Sequence, residues 1–424
     1  MPTLDRWRSF LEAPKTIELV HAELIGGDTD APLMSGPAKV RMSSLQDFSY
    51  SMTPSDGEPI ALFKAIEQQR VNSYDPLARL RLIGKEADGT DWSCGWTMPQ
   101  KVNMGGNWEI DGKLTALDVT DQLDIETHST ELLFRTDLLH PMARILGTLA
   151  GPGQARFERR CEVLGSAIVF TYERQAGVTS ITASHSAQLP ATFAERWLIQ
   201  PLRIMLGQPI SPRLIARNMG YSAVVWILRA ASLDVGSWSA FMVDEFSSPD
   251  RFFDCYCELL RMIALDEGER LSEVHPVTRY YDEIAQATAA SRWAIALTLA
   301  GCTEGLESLL RKKMAPTDAP DEPISAAATN LIKQIEGLDA PDALKRKAID
   351  ALTPPKGPST TRTLRALRDC GVISPNQFST WQRLRNRLMH GEFISLFSNE
   401  DEDRQLMHLV AIVRALTSEL IKRS

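Results

Sequence analysis

No C-x-x-C pair occurs in this chain, and its six cysteines stand apart at positions 94, 161, 255, 257, 302 and 370. Zinc sites and dithiol redox centres are built from closely spaced thiols, so reduced core or surface cysteines are expected, with Cys255-Tyr256-Cys257 the nearest approach to a pair. No apolar run reaches the roughly 18–20 residues of a membrane span. The longest, near residues 293–299, is much shorter. The opening Met-Pro-Thr-Leu-Asp-Arg-Trp lacks the basic-then-apolar order of a secretory leader, so a cytoplasmic chain with no membrane partner is expected. Gly26-Gly27-Asp28 and Gly105-Gly106-Asn107 have neither the Lys-Ser/Thr ending of a P-loop nor a strand-to-helix setting, and read as turns. Neither a metal nor a cofactor is implied.

What is present is an ordinary globular composition. At 424 residues, 44% hydrophobic and 24% charged, the chain can bury a sizeable core and divide into two or three domains. A net charge of −8 speaks against a surface that coats nucleic acid throughout. The charge is uneven, however. Between residues 341 and 393, ten basic side chains meet four acidic ones, a local excess of six. Such a patch suits a confined RNA site. A set of solvated helix faces is the alternative.

The periodicity changes along the chain, and the fold class read from it is α+β. Residues 1–190 read as a β-rich, sandwich-like or curled antiparallel sheet, with β-type runs at 16–25, 38–52, 79–83, 166–173 and 178–185. Asp88-Gly89 and Asp111-Gly112 are hairpin signals, and 60–70 and 142–150 look like helical insertions. Asp118, Asp121 and Asp124 are read as a solvated loop. Residues 191–247 form a mixed connecting module that opens on a helix interrupted by Pro201, and His185 and His275 as surface or loop histidines. From 248 to 424 the chain is all helical: 252–265, a long helix or broken pair over 277–313, then 324–338, 342–352, 360–370 and 401–422, with linkers at 315–320 and 353–358. His408 lies off the apolar stripe of the last helix and reads as solvated.

Between the last two of these lies the stretch that carries chemistry. Ser374, Pro375 and Gln377 form a capping box with proline at the first helical position, and Gly391 is placed to end the helix. Phe378, Trp381, Leu384 and Leu388 recur at helical spacing and predict one buried stripe. The remaining face bears Arg383, Asn386, Arg387 and His390, none of which a helix needs to fold. The pattern Arg385-Asn386-x-x-x-His390 resembles the signature of HEPN-domain ribonucleases, an arginine and a histidine separated by four to six residues. Arg135…His140 and Arg270…His275 share the bare spacing, but only Arg385…His390 has the asparagine, the following glycine, a capped helix and one more helix behind it. With a β-rich region before the helices, the chain is most similar to ApeA-type anti-phage members of that family. Glu392 stands where some HEPN toxins carry tyrosine, so their regulation does not carry over.

The resemblance implies an all-α HEPN-like bundle over residues 248–424, and a homodimer or higher even oligomer that joins two motifs in one site. It further implies metal-independent endoribonuclease action on RNA in anti-phage or abortive-infection defence, with a phage-derived trigger. Arg385, Asn386 and His390 are then the catalytic residues, and Arg383 and Arg387 contact RNA. Chemically, histidine exchanges protons near neutrality and arginine holds two phosphate oxygens at once. Arg385 lies five residues before His390, about 140° round the helix. Either it meets His390 across a two-fold axis, or Arg383, seven residues before, is the co-facial arginine. A non-catalytic HEPN module for RNA binding, dimerisation or scaffolding, or a helix with solvated arginines and an incidental histidine, are the alternatives.

Overall fold

The computed structural model describes residues 2–26, 31–72, 75, 78–103, 108–135, 146–148, 153–229, 249–265, 270–288, 290–313, 322–352 and 360–423. The chain divides into two compact units, Met1–Thr278 and Arg279–Ser424. The glycine-rich spot at 104–107, the first one beyond Gly26, most of the insertion at 142–150, and the linkers at 315–320 and 353–358 lie outside the described residues.

The first unit opens with a 3-10 helix, Thr3–Leu11, and continues into strands β1 (Lys15–Gly26), β2 (Pro32–Met42), β3 (Phe48–Met52) and β4 (Asp56–Gly57). Helix α1 (Pro59–Val71) precedes β5 (Leu80–Lys85), β6 (Asp91–Asn103), β7 (Glu109–Leu114), β8 (Ala116–Arg135), β9 (Arg156–Val163), β10 (Ser166–Glu173) and β11 (Val178–Ser184). Helix α2 (Ala191–Leu206), β12 (Leu214–Leu228) and helix α3 (Pro249–Ala264) follow. The order β5-β1-β2-β3-β7-β6, with β6 returning to pair with β5, closes a six-stranded antiparallel barrel. β8, β11, β10 and β9 extend the sheet beyond it, and β12 runs along β8. Of the two expected arrangements, sandwich-like or curled, the sheet takes the curled one and closes on itself. Strands such as β2 bury alternate residues, which fits either architecture, and only strand pairing decides between them. Val40, Tyr50, Met52, Leu82, Trp92 and Ile110 belong to its core, and Trp7 and Phe10 of the 3-10 helix pack on Trp92 at ring separations of 5.7 and 5.9 Å.

Two turn signals fared differently. Asp88-Gly89 does join β5 to β6, Gly89 donating its N–H to the Glu86 carbonyl at 3.1 Å. Asp111-Gly112 instead lies inside β7. Gly112 pairs with Tyr50, and a Cβ there would sit 2.4 Å from Tyr50 Cε1, so the glycine makes room for a ring rather than a turn. The aspartates read as a loop belong to β8. Asp118 is half-buried, and burial raises its carboxyl above the usual range against an opposing Ser93 hydrogen bond. Asp121 accepts from Arg6 Nη1 at 3.0 Å and Trp7 Nε1 at 3.1 Å. Buried Glu131 accepts the N–H groups of Thr3 and Leu4, each at 3.0 Å, and Asn218 Nδ2 at 2.9 Å, so the 3-10 helix, β8 and β12 share one polar knot.

The expected seams at 190 and 248 are not those of the compact units. Helix α2 runs through Pro201 to a buried end, β12 completes the sheet, and α3 packs onto α2 and β9. Phe170 of β10 meets Phe253 and Tyr256 of α3 edge-on at 5.1 and 4.8 Å, and the Tyr256 hydroxyl donates to the Leu198 carbonyl at 2.8 Å. A hydrogen bond between Cys161 of β9 and Cys257 of α3 holds the first thiol below its ordinary range and the second above it. Residues 230–248 of the mixed module lie outside the described residues.

The second unit is helical: α4 (Pro276–Thr288, which starts at the boundary), α5 (Arg292–Lys313), α6 (Glu322–Glu336), α7 (Asp342–Leu352), α8 (Thr360–Asp369), α9 (Pro375–Met389) and α10 (Glu400–Lys422). The 277–313 stretch is thus the broken pair. α5, α9 and α10 pack on one another with α8 beside them, and α6 pairs with α7. Tyr281 of α4 joins this core through its hydroxyl, 2.8 Å from Thr417 Oγ1 of α10. Asn399 caps α10 by accepting the Glu402 N–H at 2.9 Å, and four acidic residues in the first turn complement the helix dipole. Among the described residues, no helix is long and apolar enough to cross a membrane.

Candidate functional site

Helix α9 starts as its sequence dictates. The Ser374 hydroxyl accepts the Gln377 N–H at 3.2 Å, and the Gln377 side chain accepts the Ser374 N–H at 2.6 Å, with Pro375 at the first helical position. A reciprocal cap of this kind contributes roughly 1 kcal/mol. Phe378, Trp381, Leu384 and Leu388 are buried, so the predicted stripe is the packed face. His390 closes the helix, its N–H reaching the Asn386 carbonyl at 3.1 Å. Gly391 follows at φ 77°, the left-handed conformation that glycine adopts without strain.

The other face carries the candidate residues. Arg383, Asn386 and His390 are exposed and, at offsets of three and seven residues, lie along one side of the helix. None of their side chains has a hydrogen bond or ion pair among the described residues. Arg385 is turned away from them: its Nε donates to Glu304 Oε1 of α5 at 2.8 Å, with both side chains about two-fifths exposed. Arg387 Nε donates to Glu392 Oε2 at 3.1 Å, and the Glu392 N–H returns to the Arg387 carbonyl at 3.0 Å. Arg387 thereby braces the turn after His390. Within one chain, then, Arg383, Asn386 and His390 are brought together, and Arg385 is not.

The segment behind His390 is pinned from both sides. Arg292 of α5 donates through Nε to the Ser395 carbonyl at 3.1 Å, while the Ser395 N–H donates to Glu402 Oε2 at 2.9 Å. Arg292 Nη1 also meets Asp403 Oδ1 at 2.5 Å. The Ser398 hydroxyl, and after it Arg292, hold the Asp403 carboxyl below the usual carboxylate range. The pinned segment offers an apolar surface to solvent: Phe393, Leu396 and Phe397 are 75–80% exposed, and Met389 and Met407 are exposed too.

Several of these partners escaped the sequence. Glu304 sits 81 residues from Arg385, and no local spacing announces it. His408, expected to be solvated, is half-buried, with Nδ1 2.9 Å from Oγ1 of buried Thr380, so it braces α9 against α10. The basic excess is partly consumed by structure: Arg368 lies 5.2 Å over the Phe378 ring and bonds Asp369. Of the motif look-alikes, His140 lies outside the described residues, and His275 accepts the Val277 N–H at 3.3 Å where α4 begins. Comparison with protein-family models, curated proteins and solved structures finds no match.

Proposed function

We propose that the second unit is a HEPN-like bundle and that the protein is a metal-independent endoribonuclease acting as a homodimer in anti-phage defence. The observation that carries this reading is the pairing of Asn386 and His390, both exposed and unengaged, on a capped helix that ends in a pinned turn. His390 takes the proton of the RNA 2′-hydroxyl as the O2′–P bond forms. The P–O5′ bond breaks, and the leaving oxygen is protonated by the imidazolium of the second copy. The products are a 2′,3′-cyclic phosphate and a 5′-hydroxyl. Asn386 orients the imidazole or a phosphate oxygen, and an arginine spreads the charge of the crowded phosphorus.

Two arginines compete for that last role. Arg385 follows the motif, and its Nη groups, which make no hydrogen bond among the described residues, can reach a second copy while Glu304 fixes its Nε. The Glu304 ion pair equally suits a bracing role, which would leave the phosphate to co-facial Arg383. Phe393, Leu396 and Phe397 supply an apolar surface beside the motif for the two-fold contact. The first unit, large and built on a barrel, fits selection of RNA or sensing of a trigger.

The test is cleavage of RNA in EDTA. His390→Ala lowers the rate about 100- to 10,000-fold, the range of general acid–base catalysis, and keeps the melting temperature. Activity that disappears on chelation and returns with a divalent ion removes this mechanism. Equal RNA binding without cleavage by wild type and variant leaves a binding module or scaffold.

A further inference from the structure

We propose that the barrel carries a binding cleft for a nucleotide, offered free or as one unit of a single RNA strand. In placing recognition in the first unit, this rests on the reading above, but its residues are all the barrel's own. The cleft, about 700 Å³, opens between the end of α1, β6 and the β7–β8 turn. That is within the roughly 300–1,000 Å³ typical of small-ligand sites.

Its lining is unlike the rest of an acidic chain. Arg70, Arg79, Lys113 and Arg229 line it and, among the described residues, no carboxylate does, although the protein as a whole is at −8. Arg79 has no partner among the described residues, and Arg70 only a loose one, Glu67 at 3.8 Å. Lys113 is paired with Asp47 from outside the cleft, and Arg229 donates to the Leu114 carbonyl. Trp96 presents its indole here, 38% exposed.

The deciding feature is Gln69. It is 8% exposed and lines the cleft; its Nε2 donates to the Thr97 carbonyl at 3.0 Å, yet its Oε1 is buried with no partner. Arg229 Nε, on another lining residue, is likewise buried and unpartnered. Buried polar atoms are ordinarily satisfied, so an empty acceptor and an empty donor beside one cleft point to a ligand edge that offers both. A nucleobase edge does. The base stacks on an indole, and the phosphate on the nucleotide's ribose takes the guanidinium groups. An acidic peptide would answer the cations, and its amides the two unpartnered atoms, but it would leave the exposed Trp96 indole without a stacking ring.

The experiment uses full-length protein carrying His390→Ala, so that bound RNA stays intact, with a fluorescein-labelled single-stranded oligoribonucleotide read by anisotropy. Trp96→Ala and Arg79→Ala are each expected to weaken binding at least tenfold, and Trp96→Phe to retain most of it at an unchanged melting temperature. Competition by AMP or GMP at concentrations comparable to oligonucleotide assigns the cleft to free nucleotides; competition by oligonucleotide alone assigns it to a strand. Equal competition by tripolyphosphate overturns the base-reading cleft, as does binding unaffected by both variants or no binding at all. Cleavage by wild type is scored separately, so loss of the cleft leaves the nuclease reading standing, and loss of cleavage with intact binding leaves the cleft standing.

Discussion

Arg385→Ala separates two roles of one side chain by their size. As a brace, Arg385 holds Glu304 through a 2.8 Å ion pair whose side chains are 40% and 38% exposed. Pairs so open to solvent contribute about 0.2–1 kcal/mol. If that whole amount were lost from the transition state, the rate would fall by no more than about fivefold. As a charge clamp on the scissile phosphate, the same arginine would supply about 3–4 kcal/mol, or 100- to 1,000-fold. The two ranges do not overlap, so kcat/KM on one RNA substrate in EDTA decides between them. Arg385→Ala is expected to lose at least 100-fold while the melting temperature moves by about 4 °C or less. Glu304→Gln keeps an acceptor but removes the charge that aims Arg385, and a several-fold fall in kcat with little change in KM is expected. Arg383→Ala should act mainly on KM. If Arg385→Ala costs under fivefold and Arg383→Ala costs 100-fold, the phosphate role moves to Arg383. If neither exceeds fivefold, the arginine part of the mechanism is wrong.

Three further outcomes follow from other parts of the molecule. Gly112→Ala drives a methyl to 2.4 Å from Tyr50 Cε1 in the barrel core and should destabilise by about 1–3 kcal/mol, partly recovered with Tyr50→Leu; an unchanged thermal midpoint refutes the close-approach account. Glu173 accepts both Nη groups of Arg8 at 2.7 Å, which holds its carboxyl below the ordinary 4.5. The stability gap between wild type and Glu173→Gln should therefore be full above about pH 4.5 and close as acid protonates the folded carboxylate, and a gap independent of pH in urea titrations counts against the ion pair. Phe393→Ser with Phe397→Ser should give a monomer by light scattering and weaken cleavage on dilution; dimers of undiminished strength would move the contact elsewhere on the bundle.

What the sequence disclosed, and what it hid, divides along the range of the forces involved. The start, end and buried stripe of α9 were legible because capping, the proline position and helical periodicity all act within a few residues: Ser374 reads Gln377, and Leu384 reads Leu388. A curled antiparallel sheet was among the readings, but its closure into a barrel was not legible, since alternation along β2 or β6 states which side is buried but not which strand lies beside it. Asp111-Gly112 failed for the same reason: a turn and a close ring approach both call for glycine, and the ring belongs to Tyr50, far away in the chain. The aspartates of β8 failed because β12, their cross-strand neighbour, begins nearly a hundred residues later. Helix α3 shows the consequence for domain limits. Its amphipathic pattern is correct, yet nothing in it says that Phe253 and Tyr256 will meet Phe170 of a strand rather than another helix. The candidate site inherits this division. Asn386 and His390 share a face because they are four residues apart, a local fact, whereas the direction of Arg385 is set by Glu304 on another helix, a tertiary one. The choice between the two arginines for the phosphate therefore sits where local periodicity ends, and mutating Glu304, which the motif does not contain, tests it as directly as mutating the arginines themselves.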